Sequence, residues 1–573
     1  MIFLILVIAL IAIAIVAFIT WFLALKAEGK CPLCALKQLL PTRLTINTAE
    51  DEDYSNNAKK TPIMGWSSWN TLRNHIDEDI IYETAEAMKR SGLANAGYEY
   101  INLDDCWQSS LRDSDGKMQG DLETFPSGID NLIKKINALG LKVGLYSSNG
   151  TLTCEDLPAS LGNEDLDART FASWGAEFFK YDFCHHEYIN GDTPIIEFIA
   201  ISKKGEKAFI KLKPEHAKYT GRAKAVKCSD LPSKQGIGYL NHGAGTATFT
   251  ENISQGGDYV FTIRYNKTFT RKPQYLQIIV NGRVNEVFFP ATSPFTHDAR
   301  LQTIIKLDSG ENVIKLMNPV VTRADSSYIQ YRRMGDALKN ASKAWAEYTN
   351  TPEKPIIYSL CEWGTAHPWN WGRKAGNMWR TTHDIMPHWA SIMLIYSRNV
   401  DLYKYARPGH VNDPDMLEVG NGKLTKDENI SHFTLWCMMA APLVLGNDLR
   451  KLDSNSKSAK DILDIVTNKS MILIDQDPLV KPAKRIKKSM TVDILARPLQ
   501  NGDVALCLLN KSSSKKTINF EIDTLCDEKY LDFGRSSHGY EVHDLWTDER
   551  MRQDDITATI PKHGVKAYRI SNS

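Results

Sequence analysis

The first 25 residues of this 573-residue chain contain no charged side chain. The run Met1–Leu25 is almost wholly apolar and is long enough to span a bilayer as a helix. It also lacks the basic residues with which a cleavable signal usually begins, so the sequence favours an uncleaved anchor or signal. Lys26, Lys30, Lys37 and Arg43 follow it, and the positive-inside rule places such a flank in the cytoplasm. A function outside the cytoplasm requires the opposite orientation, and the sequence leaves both open.

Excess charge of one sign and closely spaced cysteines are also scarce. The formal net charge of +1 creates no field that favours nucleic acid or an acidic partner. Of ten cysteines, only Cys31 and Cys34 form a CxxC pair, and the others are too scattered for a zinc site. This pair fits redox or metal chemistry, and fits equally well plain or lipid-modified thiols beside a membrane. The length predicts two to four domains of ordinary globular composition.

Alternating strands and helices begin at residue 61 and predict an α/β fold with parallel strands. The alternation stops between residues 190 and 325, where short alternating strands predict a β-sandwich, and a further β-rich region follows Pro478. The predicted segments are a transmembrane anchor or uncleaved signal (1–25), a polar stalk (26–60), the first half of a barrel (61–189), an inserted sandwich (190–325), the second half of the barrel (326–477) and a C-terminal antiparallel β-sandwich domain (478–573).

Eight strands are predicted to close into a (β/α)8 barrel, a TIM barrel, in which chemistry lies at the C-terminal strand ends. The predicted strands are Ile63–Trp69, Tyr98–Leu103, Leu141–Tyr146, a strand through Phe179–Cys184, Pro355–Leu360, Met378–Thr382, Val411–Leu417 and Ala440–Asn447. Polar or aromatic residues stand at or just past many of these ends: Trp69, Asp104, Asp105, Lys180, Asp182, Glu362, Arg380, Asp384 and Asp415. Lys180 and Asp182 alone would be read as an ion pair, but so many groups on one rim predict a catalytic site.

Six stretches resemble the melibiase family, the α-galactosidases of glycoside hydrolase family 27. They are Met64–Asn70, Tyr100–Trp107, Lys180–Cys184, Ser359–Gly364, Trp379–Asp384 and Asn412–Leu417. The tail is similar through Ala496–Leu499, Asp544–Trp546 and His563–Val565, so the resemblance covers roughly 61–187 and 327–573. The insert resembles carbohydrate-binding modules of families 6 and 35 through Gly243–Phe249, Gly256–Thr262, Val280–Gly282 and Gly310–Leu316.

The resemblance implies a retaining, exo-acting α-galactosidase that releases terminal α-linked galactose by double displacement. It implies that Asp182 is the nucleophile and Asp384 the acid/base. The implied substrate-binding residues are Arg380 beside the sugar 2-hydroxyl, Lys180, Asp104 and Asp105 on the 3-, 4- and 6-hydroxyls, Trp69 as a pocket wall, Cys361, Glu362 and Trp363 near the 2-position, and Asp415 and Met416 at the pocket border. It also implies a disulfide between Cys154 and Cys184. One departure is Val411, where the family usually has tryptophan.

The chemistry of glycoside hydrolysis sets further expectations for this pair. A retaining enzyme holds its two carboxyl groups about 5–5.5 Å apart. Lys180 should keep Asp182 ionised, whereas the site around Asp384 should raise its pKa so that it starts protonated. The reaction requires no metal or organic cofactor, although the resemblance of the insert implies a structural calcium there. The expected partners are an α-galactoside and, through the N-terminal helix, a membrane, whereas nucleic acid is not expected. The expected location is extracytoplasmic, either anchored to the membrane or secreted.

Alternatives to galactose release stay open at this point. The same fold serves α-N-acetylgalactosaminidases, β-L-arabinopyranosidases and dextran-acting enzymes, and a membrane-tethered lectin on an inactive barrel belongs to a different class. By the family resemblance, Asp104 and Asp105 bind an axial 4-hydroxyl and a 6-hydroxyl, which implies galactose, and a site built for these hydroxyls rejects sugars that lack them. For the insert, a structural or dimerising role is the alternative to sugar binding.

Overall fold

The structure is a computed structural model that describes residues 2–27, 46, 52–203, 205–206, 209–266, 272–291, 298–454 and 456–572. Two compact units are distinguished: one includes Tyr188–Ser327, and the other comprises Glu52–Glu187 with Tyr328–Ser573. The helices are α1 (Ile2–Ala27), α2 (Trp69–Leu72), α3 (Glu78–Arg90), α4 (Ile129–Ala138), α5 (Glu164–Trp174), α6 (Arg323–Thr349), α7 (Trp389–Asn399), α8 (Lys426–Met438), α9 (Lys457–Val466) and α10 (Lys469–Asp475).

The strands fall into four groups along the chain. The first four are β1 (Met64–Ser67), β2 (Tyr100–Asn102), β3 (Lys142–Ser148) and β4 (Phe178–Asp182). The Tyr188–Ser327 unit contains β5 (Ile196–Lys203), β6 (Phe209–Leu212), β7 (Lys218–Gly221), β8 (Lys224–Lys227), β9 (Gln235–Gly238), β10 (Gly245–Ile253), β11 (Gly257–Asn266), β12 (Gln274–Val280), β13 (Arg283–Phe289), β14 (Asp298–Leu307) and β15 (Gly310–Met317). Next come β16 (Ile357–Leu360), β17 (Met378–Arg380), β18 (Val411–Asp413) and β19 (Leu443–Leu445). The last are β20 (Lys484–Lys488), β21 (Val492–Pro498), β22 (Val504–Asn510), β23 (Lys516–Glu521), β24 (Tyr540–Asp544), β25 (Arg550–Gln553), β26 (Asp555–Ile560) and β27 (Val565–Ser571).

The N-terminal segment is helical in α1, with side chains described for residues 12–26. Over the described part of the chain, no helix has both the length and the apolar character needed to cross a membrane. The predicted transmembrane span at Met1–Leu25 is therefore not supported. Cys31, Cys34 and most of the predicted stalk lie outside the described residues.

Eight parallel strands form the barrel in the order β18-β17-β16-β4-β3-β2-β1-β19. Closure occurs just beyond β18, where Leu417 pairs in parallel with Leu445 of β19. The Leu417 amide donates to the Val444 carbonyl at 2.7 Å, and the Gly446 amide donates to the Leu417 carbonyl at 2.9 Å. The predicted TIM-barrel-like α/β fold is therefore confirmed.

Several strand ends and one helix differ from the prediction, and the first and seventh strands are examples. The seventh strand ends at Asp413 because the Asp413 carboxylate accepts the Asp415 amide and turns the chain, with Asp415 at φ +83°. The first strand ends at Ser67, and Trp69 begins the short helix α2. After β16 the chain forms only 3₁₀ turns at Pro368–Asn370 and Gly372–Lys374, because proline and glycine interrupt a regular helix. Seven of the eight predicted helical connections thus contain an α-helix.

The described residues of the Tyr188–Ser327 unit form β-strands with two short 3₁₀ turns up to Met317, as the alternating pattern predicts. One sheet has the order β13-β12-β15-β10-β7, and the other has the order β14-β11-β5-β9-β8 with β6 beside β5. Their apolar side chains form one core that includes Phe249, Phe261 and Leu276. Asn281 and Gly282 both take positive φ and connect β12 to β13, which confirms the predicted hairpin.

The C-terminal strands form a six-stranded sheet, β20-β21-β22-β27-β24-β25, and a two-stranded sheet, β23-β26. Residues from both, such as Leu506 and Phe520, share one apolar core. This arrangement confirms the predicted C-terminal β-sandwich. It is tied to the barrel by Arg497, which donates to the carbonyl of Cys437 at the end of α8 at 2.6 Å.

Candidate active site

A cavity lies inside the barrel and reaches the C-terminal strand ends. Its lining includes five of the predicted site residues: Asp104, Lys180, Arg380, Asp415 and Met416. All five are buried or nearly so, and they come from β4, β17 and the turns that follow β2 and β18. The barrel therefore gathers residues that are more than 300 positions apart in the sequence.

Lys180 is the cation of the first charged cluster. Its Nζ lies 2.9 Å from Asp104 Oδ2 and 3.8 Å from Asp182 Oδ2. The ammonium also lies 5.1 Å from the centre of the Tyr146 ring. Asp104 is further held by hydroxyl groups, since Ser67 Oγ donates to Oδ2 at 3.3 Å and the Asp104 amide donates to Ser68 Oγ at 3.0 Å. In this cluster one cation therefore lies near two carboxylates.

Asp105 is held beside this cluster by the backbone. Its carboxylate accepts the Cys106 amide at 2.8 Å and the Glu155 amide at 3.0 Å. Burial raises the pKa of Asp105 to about 6, with a smaller contribution from the Asp104 charge. Asp105 therefore lies beside Asp104 at the end of β2, as predicted, although the cavity lining itself does not include it.

Arg380 is the cation of the second cluster. Its Nη2 lies 2.9 Å from Asp384 Oδ1 and 2.8 Å from Asp415 Oδ2, and its Nη1 lies 3.6 Å from Cys361 Sγ. Asp415 is fixed by the amides of Met416 and Ile385, each donating at 2.8 Å. Burial raises the pKa of Asp415 to about 7. Asp384, in contrast, has a 65% exposed side chain.

The predicted catalytic carboxyls have pKa shifts that oppose the expectation. Burial raises the pKa of Asp182 above its usual value, against the opposing effect of Lys180, and the negative charges of Asp104 and Asp384 add to the rise. For Asp384, partial burial acts upward, but the charges of Arg380, Lys180 and His383 together bring its pKa below the usual value. The expected raised pKa of Asp384 is therefore wrong for this conformation, because Arg380 pairs with its carboxylate.

Asp182 itself is firmly positioned. Its Oδ1 accepts the Phe183 amide at 2.9 Å, and its carbonyl accepts the Asn149 amide at 2.8 Å and the Tyr331 hydroxyl at 3.1 Å. The predicted disulfide between Cys154 and Cys184 is present, with Cα atoms 5.1 Å apart. Cys154 Sγ lies 3.9 Å from Asp182 Oδ2.

The remaining predicted residues differ in their placement. Trp69 is half-buried and packs against the apolar cluster that contains Met416. The Trp363 ring meets the ring of Phe183 edge-on at 5.8 Å, directly after Asp182. Glu362 is fully buried, accepts the Ala366 amide at 2.6 Å and is not part of the cavity lining. One oxygen of its carboxyl group therefore holds its own loop, and the substrate-binding role of Glu362 stays a prediction.

Metal binding was predicted only for the insert. Within the described residues, the one group of three or more potential ligands is Cys154, Asp182 and Cys184, two of which form the disulfide. No such group lies in the described part of the insert, so the predicted calcium is not supported.

Comparisons with known proteins agree with this geometry. A model of the α-galactosidase A family, melibiase, matches residues 61–233 and 320–477, and a model of the α-galactosidase C-terminal β-sandwich matches 489–570. This chain is a member of the melibiase family. Similar proteins include α-galactosidase 2 of Arabidopsis thaliana, 30% identical over 90% of this chain and 91% of that one, and α-galactosidase of Cyamopsis tetragonoloba, 30% identical over 91% and 90%. Among solved structures, α-galactosidase I of Mortierella vinacea aligns with a TM-score of 0.61 at 26% identity, covering 91% of this chain and 99% of that one.

Sequence reasoning missed several residues of this melibiase cavity. Ser67, Asn102 and Asp413 line it, and each is the last residue of a barrel strand. Tyr146 lies under Lys180 from β3. A polar residue at the end of a strand was the available signal, but the predicted ends of these three strands lie at Trp69, Leu103 and Leu417, beyond the observed ends.

Proposed function

We propose that this melibiase is a retaining exo-α-galactosidase that removes terminal α-linked galactose from oligosaccharides, polysaccharides or glycoconjugates. The observation that carries the proposal is the pair of carboxyl groups, Asp182 and Asp384, which contact Lys180 and Arg380, two cations that line the same cavity. Retaining glycosidases need one carboxylate to attack the sugar and one carboxyl group to protonate the leaving oxygen.

Asp182 suits the role of nucleophile. Three hydrogen bonds from Phe183, Asn149 and Tyr331 hold its carboxyl group and its backbone carbonyl. Because the attacking atom must reach the anomeric carbon at a defined angle, a rigid carboxylate lowers the cost of orientation. Lys180 favours its ionised form, which is the form that attacks.

Asp384 suits the role of acid and base. Its side chain is 65% exposed, so a leaving group and water can reach it. In the first step its proton passes to the glycosidic oxygen while Asp182 bonds to the sugar. In the second step its carboxylate takes a proton from water, which attacks the sugar and releases Asp182.

Recognition of galactose is assigned to the Lys180 cluster. Asp104, Asp105 and Lys180 together offer acceptors and a donor to neighbouring hydroxyls, and Arg380 offers donors to the 2-hydroxyl. Carboxylates buried this deeply need hydrogen-bond donors, and galactose hydroxyls provide them. A sugar that lacks one of these hydroxyls leaves a buried charge unpaired and is rejected.

The natural surroundings are proposed to be extracytoplasmic. The Cys154–Cys184 disulfide supports this, because such bonds persist in oxidising compartments and are rare in the cytosol. We also propose that the inserted unit binds sugar and holds polymeric substrate, for which its resemblance to carbohydrate-binding modules is the support.

The test is a substrate panel with the purified enzyme. Aryl α-galactoside should be hydrolysed with kcat/KM well above that for aryl α-N-acetylgalactosaminide, β-L-arabinopyranoside and α-glucoside. Proton NMR of the first product should show α-galactose before mutarotation, as retention requires. Faster cleavage of any of the other three glycosides would overturn the assignment of the sugar, and β-galactose as first product would overturn retention.

A further inference from the structure

A second groove lies on the outer helical layer of the barrel unit, between α5, α6 and the segment 113–119. It encloses about 540 Å³, which is within the range of small-molecule sites. It shares no lining residue with the catalytic cavity. The reaction proposed above makes no use of it.

Two exposed aromatic rings form one wall of this groove. Trp345 and Tyr348 stand one turn apart on α6, with ring centroids 5.6 Å apart and planes inclined by 33°. Their exposed fractions are 38% and 82%. Neighbouring rings that leave this much apolar surface in water are a mark of binding sites. Trp174 of α5 also lines the groove and is itself held edge-on against the buried Trp107, at 5.9 Å.

The polar residues of the groove are held in place and retain unused hydrogen-bonding capacity. Asp113 Oδ1 accepts the amides of Asp115 and Lys117 at 2.9 and 2.8 Å, which fixes the carboxylate. Gln119 Nε2 donates to the Leu111 carbonyl at 3.2 Å, which leaves Oε1 as an acceptor. Arg169 has no ion-pair partner within the described part of the chain. These three planar groups offer paired donors and acceptors, which match vicinal hydroxyls.

The charges of the groove favour a neutral ligand. Lys117 is paired with Asp115 at 3.3 Å, so its charge is balanced. The remaining charges, Arg169 and Asp113, have opposite signs. A nucleic acid or other polyanion would need a net positive surface, and a purely apolar ligand would leave the polar groups unsatisfied.

We propose that this groove is a second, non-catalytic site that binds a neutral oligosaccharide segment of a polymeric substrate. A pyranose ring lies on Trp345 and Tyr348, with its hydroxyls on Asp113, Gln119 and Arg169. The choice of a saccharide rests on the proposed function, because the aromatic wall and planar polar groups alone define only a neutral polyhydroxyl ligand. Binding here keeps a polysaccharide on the enzyme between catalytic events.

The test compares Trp345→Ala/Tyr348→Ala with the wild type and with Met490→Ala, a matched change at a 97% exposed apolar residue of the C-terminal domain. Retention on galactomannan and on unsubstituted mannan is measured by affinity electrophoresis, together with kcat/KM on aryl α-galactoside. We expect the double variant to bind both polysaccharides about tenfold more weakly, because two stacking surfaces are lost. Its activity on the aryl glycoside and the behaviour of Met490→Ala should equal those of the wild type.

Other results would contradict the proposal. Equal retention of all three proteins on both polysaccharides would overturn it. A wild-type dimer that dissociates in the double variant during sedimentation would also overturn it, because the groove would then be occupied by a second copy of the chain. If the double variant also loses aryl-glycoside activity, the single variants Tyr348→Ala and Arg169→Ala are tested instead, because both side chains are exposed. Retention of these single variants on the polysaccharides equal to that of the wild type would overturn the proposed site. Failure of the wild type on every aryl α-galactoside would refute the proposed function instead, and mannan retention would still test the groove.

Discussion

At the scale of single residues, Arg380 controls the state of the proposed acid. One of its nitrogens, Nη2, contacts both Asp384 at 2.9 Å and Asp415 at 2.8 Å. Asp415 is fixed by backbone amides, whereas Asp384 is exposed and can leave. A sugar hydroxyl that binds Arg380 would release Asp384, and the loss of the guanidinium contact would raise the pKa of Asp384 toward the value that an acid needs.

This exchange predicts proton uptake when galactose binds. If the pKa of Asp384 is lowered in the free enzyme and rises in the complex, the complex holds more protons at any pH between the two values. Isothermal titration with galactose in two buffers of different ionisation enthalpy should therefore detect uptake approaching one proton per site. The Asp384→Asn variant should take up none, and equal uptake by both proteins would assign the proton to another group, such as Asp182.

The roles of the two carboxyl groups are separable by substitution. Asp182→Gly and Asp384→Asn should each lower kcat on unactivated galactosides by about 10² to 10⁴-fold or more, because each loses one required carboxyl group. Added azide should restore turnover of aryl galactosides in both. Asp182→Gly should form β-galactosyl azide by a single displacement, and Asp384→Asn should form α-galactosyl azide through the covalent intermediate. NMR of the azides checks this, and the same anomer from both variants would contradict the assignment.

At the scale of elements, the loops that follow β3 and β4 form one tight support for Asp182. The disulfide joins them, and Ser148 Oγ donates to the Cys184 carbonyl at 2.8 Å. Gly150 approaches so closely that a Cβ there would lie 2.1 Å from the same carbonyl oxygen. Because Asp182 lies between these contacts, its position depends on both loops.

Removal of the disulfide should therefore affect stability and rate together. Cys154→Ser/Cys184→Ser should lower the free energy of unfolding by about 3 to 4 kcal/mol, the value for a loop of this length. It should also lower kcat, since Cys154 Sγ lies 3.9 Å from the Asp182 carboxylate. Guanidinium unfolding followed by tryptophan fluorescence and kinetics on aryl galactoside measure the two effects. Cys526→Ser, which removes a free thiol, is the control and should change neither.

At the scale of the whole molecule, the Tyr188–Ser327 unit interrupts the barrel chain without interrupting the barrel. Its two ends are adjacent, since the Ile189 amide donates to Ser326 Oγ at 2.7 Å. It also has its own apolar core between two sheets. A segment with adjacent ends and an independent core is the kind of unit that a host domain tolerates losing.

Deletion of residues 190–324 should therefore leave a folded enzyme. We expect kcat/KM on aryl α-galactoside to stay within about threefold of the wild type, whereas activity on galactomannan falls about tenfold or more, since only the polymer uses a second binding unit. Reducing-sugar release and aryl release measure the two activities. Unchanged activity on both substrates would favour a structural or dimerising role for the unit.

The sequence by itself determined the fold class and most of the site. Alternation of strands and helices, together with polar residues at strand ends, predicted the barrel, the insert, the C-terminal sandwich and the positions of Asp104, Lys180, Arg380 and Asp415. These signals are local, because hydrophobic periodicity and the polar residues at strand ends can be recognised from residues that are neighbours in the sequence. The same local reading failed where a helix was replaced by 3₁₀ turns after β16.

Only the tertiary structure decided how those residues pair. Local sequence cannot tell that Arg380 pairs with Asp384, that Glu362 turns into its own loop, or that Trp345 and Tyr348 are exposed beside residues of another helix. Each of these depends on which side chains from distant segments meet, and on how much water the packing excludes. Burial and charge pairing depend on contacts made throughout the folded molecule. For that reason the pKa of Asp384 and the second groove are defined only once the barrel has closed.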